Sequence, residues 1–118
     1  MLDDVLLRFF AVDGYSTLDE PTRQYLLRQA ADASPKATAD SLAAWAAADP
    51  GPDLARVTAP TLIIQGEGDA FVPSEDSGTR AARAIAGSSV VTIPDAPHGA
   101  PLTHHEQWNE LVVEFLAR

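Results

Sequence analysis

The stretch Val57-Thr58-Ala59-Pro60-Thr61-Leu62-Ile63-Ile64-Gln65-Gly66 decides the fold. Its apolar residues run on continuously from Leu62 instead of alternating with polar ones, which marks a parallel strand buried on both faces. Gly66 ends the run, and Pro73-Ser74 then opens a predicted helix to about Ala86, closed by Gly87. A second apolar run, Ser89-Val90-Val91-Thr92-Ile93, follows. Thr103-His104-His105-Glu106 reads as a capping box. It starts a last helix with Trp108, Leu111, Val112, Phe115 and Leu116 on one face. Residues 53–118 are therefore a strand–helix–strand–helix unit, and a right-handed crossover makes its two strands parallel.

Residues 1–52 read as a helical segment of a different kind. Residues 2 to 12 form a short apolar helix through Leu2, Val5, Leu6, Phe9 and Phe10, expected to be more buried than exposed, and Gly14 breaks it. Thr17-Leu18-Asp19-Glu20 is a second capping box, with Thr17 as cap. The helix it starts runs to about Ala33 and packs through Tyr25, Leu26 and Ala30. Ser34-Pro35 opens a third, past Leu42 and Trp45 to Asp49-Pro50-Gly51. No further convincing strand is legible. Two parallel strands, each apolar on both faces, need neighbours at their edges. The sheet is expected to be incomplete, finished by a missing N-terminal half, by a homodimer or by another partner chain.

Composition narrows the chemistry. The 118 residues carry a net charge of −9, with Lys36 the only lysine, so phosphate backbones are repelled and nucleic acid is not an expected partner. With no cysteine, a nucleophile must be oxygen or nitrogen. No apolar run is long enough to span a membrane. Two aspartates precede the N-terminal apolar run, the wrong charge for a secretory signal, so the expected location is cytoplasmic.

In parallel α/β sheets, functional groups gather beyond the carboxyl ends of the strands. Both such loops here hold a titratable residue in a constrained turn: Asp69 in Gly66-Glu67-Gly68-Asp69-Ala70-Phe71-Val72-Pro73, and His98 in Pro94-Asp95-Ala96-Pro97-His98-Gly99-Ala100-Pro101. Neighbouring strands lie roughly 4.8 Å apart. Asp69 can thus reach His98 and hold one imidazole nitrogen while the other takes a proton. The residues alone equally allow a turn-forming aspartate and a solvated loop histidine.

The ordered pair "APTLIIQGEGDAFVP" and "VTIPDAPHGAPLTHHEQWNELVVEFL" resembles the C-terminal portion of an α/β-hydrolase, over roughly residues 57 to 118. It is most similar to the cofactor-free, non-haem haloperoxidase and esterase branch. The resemblance implies that Asp69 is the triad acid and His98 the triad base. It implies hydrolysis or perhydrolysis of a small acyl or ester substrate without a cofactor, and a cap or lid role for residues 1–52. Gln65 stands where the family often has histidine, Ala70 where arginine is common, and Asp95 where glycine is usual.

The family's nucleophile sits in Gly-x-Ser-x-Gly, and no such motif occurs here. Gly14-Tyr15-Ser16-Thr17-Leu18 imitates its first half, but leucine stands where close helix packing needs glycine. Ser16 is therefore set aside, and the isolated chain is expected to be a fragment with little or no hydrolase activity. His104, His105 and Glu106 suggest a metal site only superficially. Adjacent helical residues diverge by about 100° around the axis, so the two histidines cannot share one ion. Trp45, Phe9 and Phe10 fit core packing better than a substrate pocket.

Overall fold

The computed structural model describes residues 2–73 and 77–118. Helix α1 (Leu2–Phe10) runs into a short antiparallel hairpin of β1 (Ala11–Val12) and β2 (Tyr15–Ser16), with Val12 opposite Tyr15. The turn residues Asp13 and Gly14 have φ of 50° and 83°. A type I′ two-residue hairpin loop needs positive φ at both positions, and Asp-Gly is a preferred pair for it. Gly14 thus does more than break a helix, and the expectation of no further strand is corrected. Strands of two residues carry no periodicity, so only the Asp-Gly signal was there to be read. Helix α1 is also more open than expected, with Val5 45% exposed. The side chain of Leu2 lies outside the described residues.

Helix α2 (Glu20–Asp32) is capped by Asp19, whose carboxylate accepts the Thr22 N–H at 2.7 Å. This corrects the expected Thr17 cap: Pro21 fits the first helical turn, which places the cap just before Glu20. Glu20 does not reach back. It accepts bonds from Arg23 and Gln24, which pull its carboxyl down from 4.5 to about 2. A depressed carboxyl contributes stability above its ordinary value that is lost as pH falls through the folded one. The first turn of α2 should therefore loosen between pH 4.5 and about 2. Amide exchange at residues 20–24 measures this, and Glu20→Gln should reduce the pH dependence to the part carried by Asp19, whose carboxyl the bonds from Thr22 also hold below its ordinary value.

Tyr25 is 54% exposed and Ala30 is exposed, so of the face expected to pack in α2 only Leu26 is half-buried. Helix α3 (Pro35–Ala47) begins as its sequence dictates, with the Ser34 hydroxyl accepting from the Ala37 N–H. None of its residues is buried, and Trp45 is 66% exposed, against the core packing expected of it. Helix α4 (Gly51–Leu54) follows, so the segment boundary expected at 52/53 falls inside a helix.

The second half centres on β3 (Leu62–Gly66) and β4 (Ser89–Ile93), parallel and in register from Leu62 opposite Ser89 to Gly66 opposite Ile93. Helix α5 (Gly78–Ala84) connects them and stops two residues short of the expected end. Its expected start at Ser74 lies outside the described residues. After β4 come α6 (Ala100–Thr103) and α7 (His105–Leu116). The Thr103–Glu106 capping box does not form. Thr103 is used up in α6, where its hydroxyl meets the Gly99 carbonyl and His104 Nδ1. A packed cluster of Ile93, Ala96 and Ala100, backed by Ile64, Trp108 and Leu111, sits directly beneath the strand ends.

Among the described residues β3 pairs with β4 alone, so its other edge is open. Surface area shows the same deficit. The chain exposes 8392 Å², whereas a compact monomer of its 12.5 kDa exposes about 6,200 Å². No helix of the described residues is long and apolar enough to cross a membrane.

Candidate active site

The site lies where β3 and β4 end. Backbone bonds lace the two exit loops together: Glu67 N–H donates to the Ile93 carbonyl at 3.0 Å, and Gly68 N–H to the Ala96 carbonyl at 2.9 Å. Gly66 allows this approach, because a Cβ there would lie 2.2 Å from the Ala96 carbonyl oxygen and 2.5 Å from that of Pro97. In the second loop, Ala96 N–H closes a turn onto Ile93, with Pro94 at its second position and Asp95 at φ 54°. A turn with positive φ at its third residue favours glycine, which explains the departure noted at Asp95. Asp95→Gly should raise stability by up to about 1 kcal/mol, read as a higher denaturation midpoint.

The lacing brings Asp69 and His98 together, as the loop geometry led one to expect. Asp69 Oδ2 lies 2.8 Å from His98 Nδ1. Its other oxygen accepts the N–H groups of Phe71 at 2.9 Å and Val72 at 2.8 Å. An ionised carboxylate only accepts, so Nδ1 carries the proton and a neutral ring leaves Nε2 as the acceptor. Nε2 has no hydrogen-bond partner among the described residues. The Asp69 side chain is 7% exposed and that of His98 33%: a shielded anchor beneath an accessible base. Both border a cavity of about 240 Å³ that Gln65, Gly78 and Trp108 also line.

Gln65 supports the acid from below. It is buried, and its Nε2 donates to the Val72 carbonyl at 3.3 Å, bracing the turn whose N–H groups hold Asp69. Its Oε1 is buried without a partner and sits where a Cβ at Gly78 would lie. The sequence marked Gln65 only as a departure from a pattern.

Aromatic rings enclose the imidazole. Phe9 stands edge-on to His98, with centroids 4.7 Å apart and planes at 89°. Phe71 lies 5.2 Å from His98 and 4.2 Å from Phe9. Sequence reasoning weighed Phe9 but favoured core packing, and missed Phe71. The neighbouring Asp69 was the one local signal for Phe71, whereas nothing in the sequence places Phe9 beside residue 98.

The other candidates lie elsewhere. Ser16 is exposed in β2 and its hydroxyl accepts from the Leu18 N–H at 3.2 Å, a local turn contact rather than a strand-to-helix elbow. His104 is engaged with Thr103, and His105 is exposed at the start of α7.

The profile of the alpha/beta hydrolase family matches residues 2–115. A putative non-heme chloroperoxidase of Synechocystis sp. is 40% identical over 87 residues, 74% of this chain and 31% of that protein. A 2-hydroxy-6-oxononadienedioate/2-hydroxy-6-oxononatrienedioate hydrolase of Klebsiella pneumoniae is 46% identical over 70 residues, 59% of this chain and 24% of that one. Among solved structures, a bromoperoxidase from Bacillus anthracis superposes with a TM-score of 0.94 at 41% identity, over 99% of this chain and 43% of its own. An esterase from Exiguobacterium antarcticum gives 0.80 at 28% identity, over 87% and 38%. The chain thus spans less than half the length of each. It belongs to the alpha/beta hydrolase family and is related to its non-haem haloperoxidase and esterase members.

Proposed function

We propose that Asp69 and His98 are the acid and base of a serine-type acyl hydrolase centre whose nucleophile and oxyanion donors come from polypeptide outside these 118 residues. The observation that carries this reading is the 2.8 Å contact between Asp69 Oδ2 and His98 Nδ1, which leaves Nε2 open to a cavity. In the assembled site, Nε2 takes the proton of a serine hydroxyl as it attacks an ester or small acyl carbonyl. Asp69 holds the ring in the productive tautomer and stabilises the imidazolium. The same base returns the proton to the leaving group, and then activates water, or hydrogen peroxide if the acyl enzyme is released as a peracid. The chemistry rests on proton transfer and fixed dipoles and uses no cofactor. Of the relatives, the Exiguobacterium antarcticum esterase supports an ester as the substrate class.

Residues 1–52 supply the cap, with α2 and α3 presenting surfaces meant for the remainder of the fold. The chain by itself should hydrolyse p-nitrophenyl acetate no faster than free imidazole at the same histidine concentration, which is the background here because an exposed imidazole attacks activated esters unaided. Turnover above background that disappears in His98→Ala would mean that a nucleophile lies within the chain, and would sink this reading.

A second reading has its own observation. The open edge of β3 continues into an apolar groove of about 450 Å³ lined by Leu62, Ile63, Ile64, Trp108, Val112 and Phe115. The chain's excess surface, about 2,000 Å² over a compact monomer, is comparable to what a permanent interface buries. A non-catalytic module that completes its sheet by pairing with a second copy would use this face. Sedimentation of the purified chain separates the readings: a discrete, stable dimer favours the module, and ill-defined association favours an incomplete hydrolase.

A further inference from the structure

We propose that Phe9 is a positioning residue for His98, and that the stretch Phe9–Val12 clamps the acid and base loops to each other. The inference rests on the reading of His98 as the base and adds a part of the machinery that lies outside its motif. Four contacts carry it. The Phe9 ring stands edge-on to the imidazole at 4.7 Å. The Phe9 carbonyl accepts the N–H of Gly99, the residue after His98, at 2.6 Å. The Phe10 ring fills the space that a Cβ on Gly99 would need, coming within 2.1 Å of it. Val12 does the same at Gly68, the residue before Asp69, at 2.5 Å.

One continuous stretch from the end of α1 into β1 therefore touches the immediate neighbours of both Asp69 and His98. Both of those neighbours, Gly68 and Gly99, are glycines. The hydrogen bond to Asp69 fixes only one atom of a ring that can turn about two bonds. Phe9, with Phe71 beside it, removes alternative ring positions and keeps water from the Nδ1–H···Oδ2 bond. A hydrogen bond shielded in this way is stronger than one open to solvent.

Imidazole NMR on the 118-residue chain tests the clamp without requiring catalysis. The parent should show a His98 Nδ1–H resonance protected from solvent exchange and absent in Asp69→Asn. In Phe9→Ala its exchange should accelerate by up to about tenfold, the weight of one aromatic pair. Phe9→Tyr should restore the parent rate. Leu6→Ala, a truncation on the same helix of a side chain that makes no ring contact with His98, should leave it unchanged. If Phe9→Ala does not fold, as judged by the backbone amides of β3 and β4, Phe9→Leu is read instead and should accelerate exchange. Unchanged exchange in the Phe9 variant, or equal acceleration in Leu6→Ala, overturns the clamp alone. Unfolding of both Phe9 variants where Leu6→Ala stays folded also overturns it, by making the role purely structural. A parent chain with no protected Nδ1–H overturns the Asp69–His98 pairing itself, and the clamp with it.

Discussion

In a chimera where this chain replaces the 43% of the Bacillus anthracis bromoperoxidase that it matches, His98→Ala should lower kcat by about four to six orders of magnitude. Triad members act as a unit, so loss of the base alone removes nearly all that the triad supplies. Asp69→Asn should cost about ten-thousandfold while leaving the fold intact. The amide fills the same space, but it can donate to Nδ1 and so favours the tautomer protonated at Nε2, which cannot take the serine proton. Substrate affinity should change little in either variant, because neither group contributes much to ground-state binding. The measurement is steady-state kinetics on an activated ester across both variants and the parent chimera. Retention of activity within about tenfold in His98→Ala would remove the histidine from the mechanism, since no surviving triad member can replace it. The TM-score of 0.94 over 99% of this chain makes the graft geometrically reasonable.

The second large effect should come from adding a single methyl group. Gly66→Ala places a Cβ 2.2 Å from the Ala96 carbonyl oxygen and 2.5 Å from that of Pro97. Both are backbone atoms. Ala96 and Pro97 are buried, and the Ala96 carbonyl already accepts from Gly68 N–H, so neither can yield without breaking the lacing between the loops. Overpacking of this kind costs about 3 kcal/mol or more. Whole domains are stable by only about 5–15 kcal/mol, and this chain has a small core. Loss of cooperative unfolding in a denaturant titration is the expected outcome. Gly68→Ala is the comparison, because its new methyl would meet a side chain, that of Val12, rather than two backbone carbonyls. It should cost clearly less. Equal midpoints for the two variants would show that the loops are not held together as described.

Much of this was legible from the residues alone. The apolar runs at 62–65 and 89–93 specify parallel strands, and the observed ladder pairs them in register, but the expected burial of both faces fails in β4, where Val90 is 41% exposed because nothing among the described residues covers it. Glycine and proline in the two exit loops restrict the backbone locally. From that, together with strand spacing, Asp69 and His98 fall within hydrogen-bonding reach, as the 2.8 Å contact shows. The helical segment was less legible. Thr17 and Asp19 both satisfy a cap rule, and the choice depends on where Pro21 falls in the first turn. Tyr25, Leu42 and Trp45 look like core residues by type, yet they are exposed, because apolar character says that a face seeks a partner and not that the partner is present.

Only the tertiary structure decided what surrounds the histidine. Phe9 and His98 are far apart along the chain, and no spacing rule connects them. Their contact exists because the Asp-Gly hairpin turns the chain just after α1, while glycines at 68 and 99 leave room for it to approach. The support that Gln65 gives to the Asp69 turn likewise depends on side-chain packing. Sequence determined the strands, their direction and the closeness of the Asp69 and His98 loops, since those follow from local chemistry and the end of the sheet at which the loops emerge. The enclosure of that pair depends on which distant surfaces fit together, and that is settled only when the chain has folded.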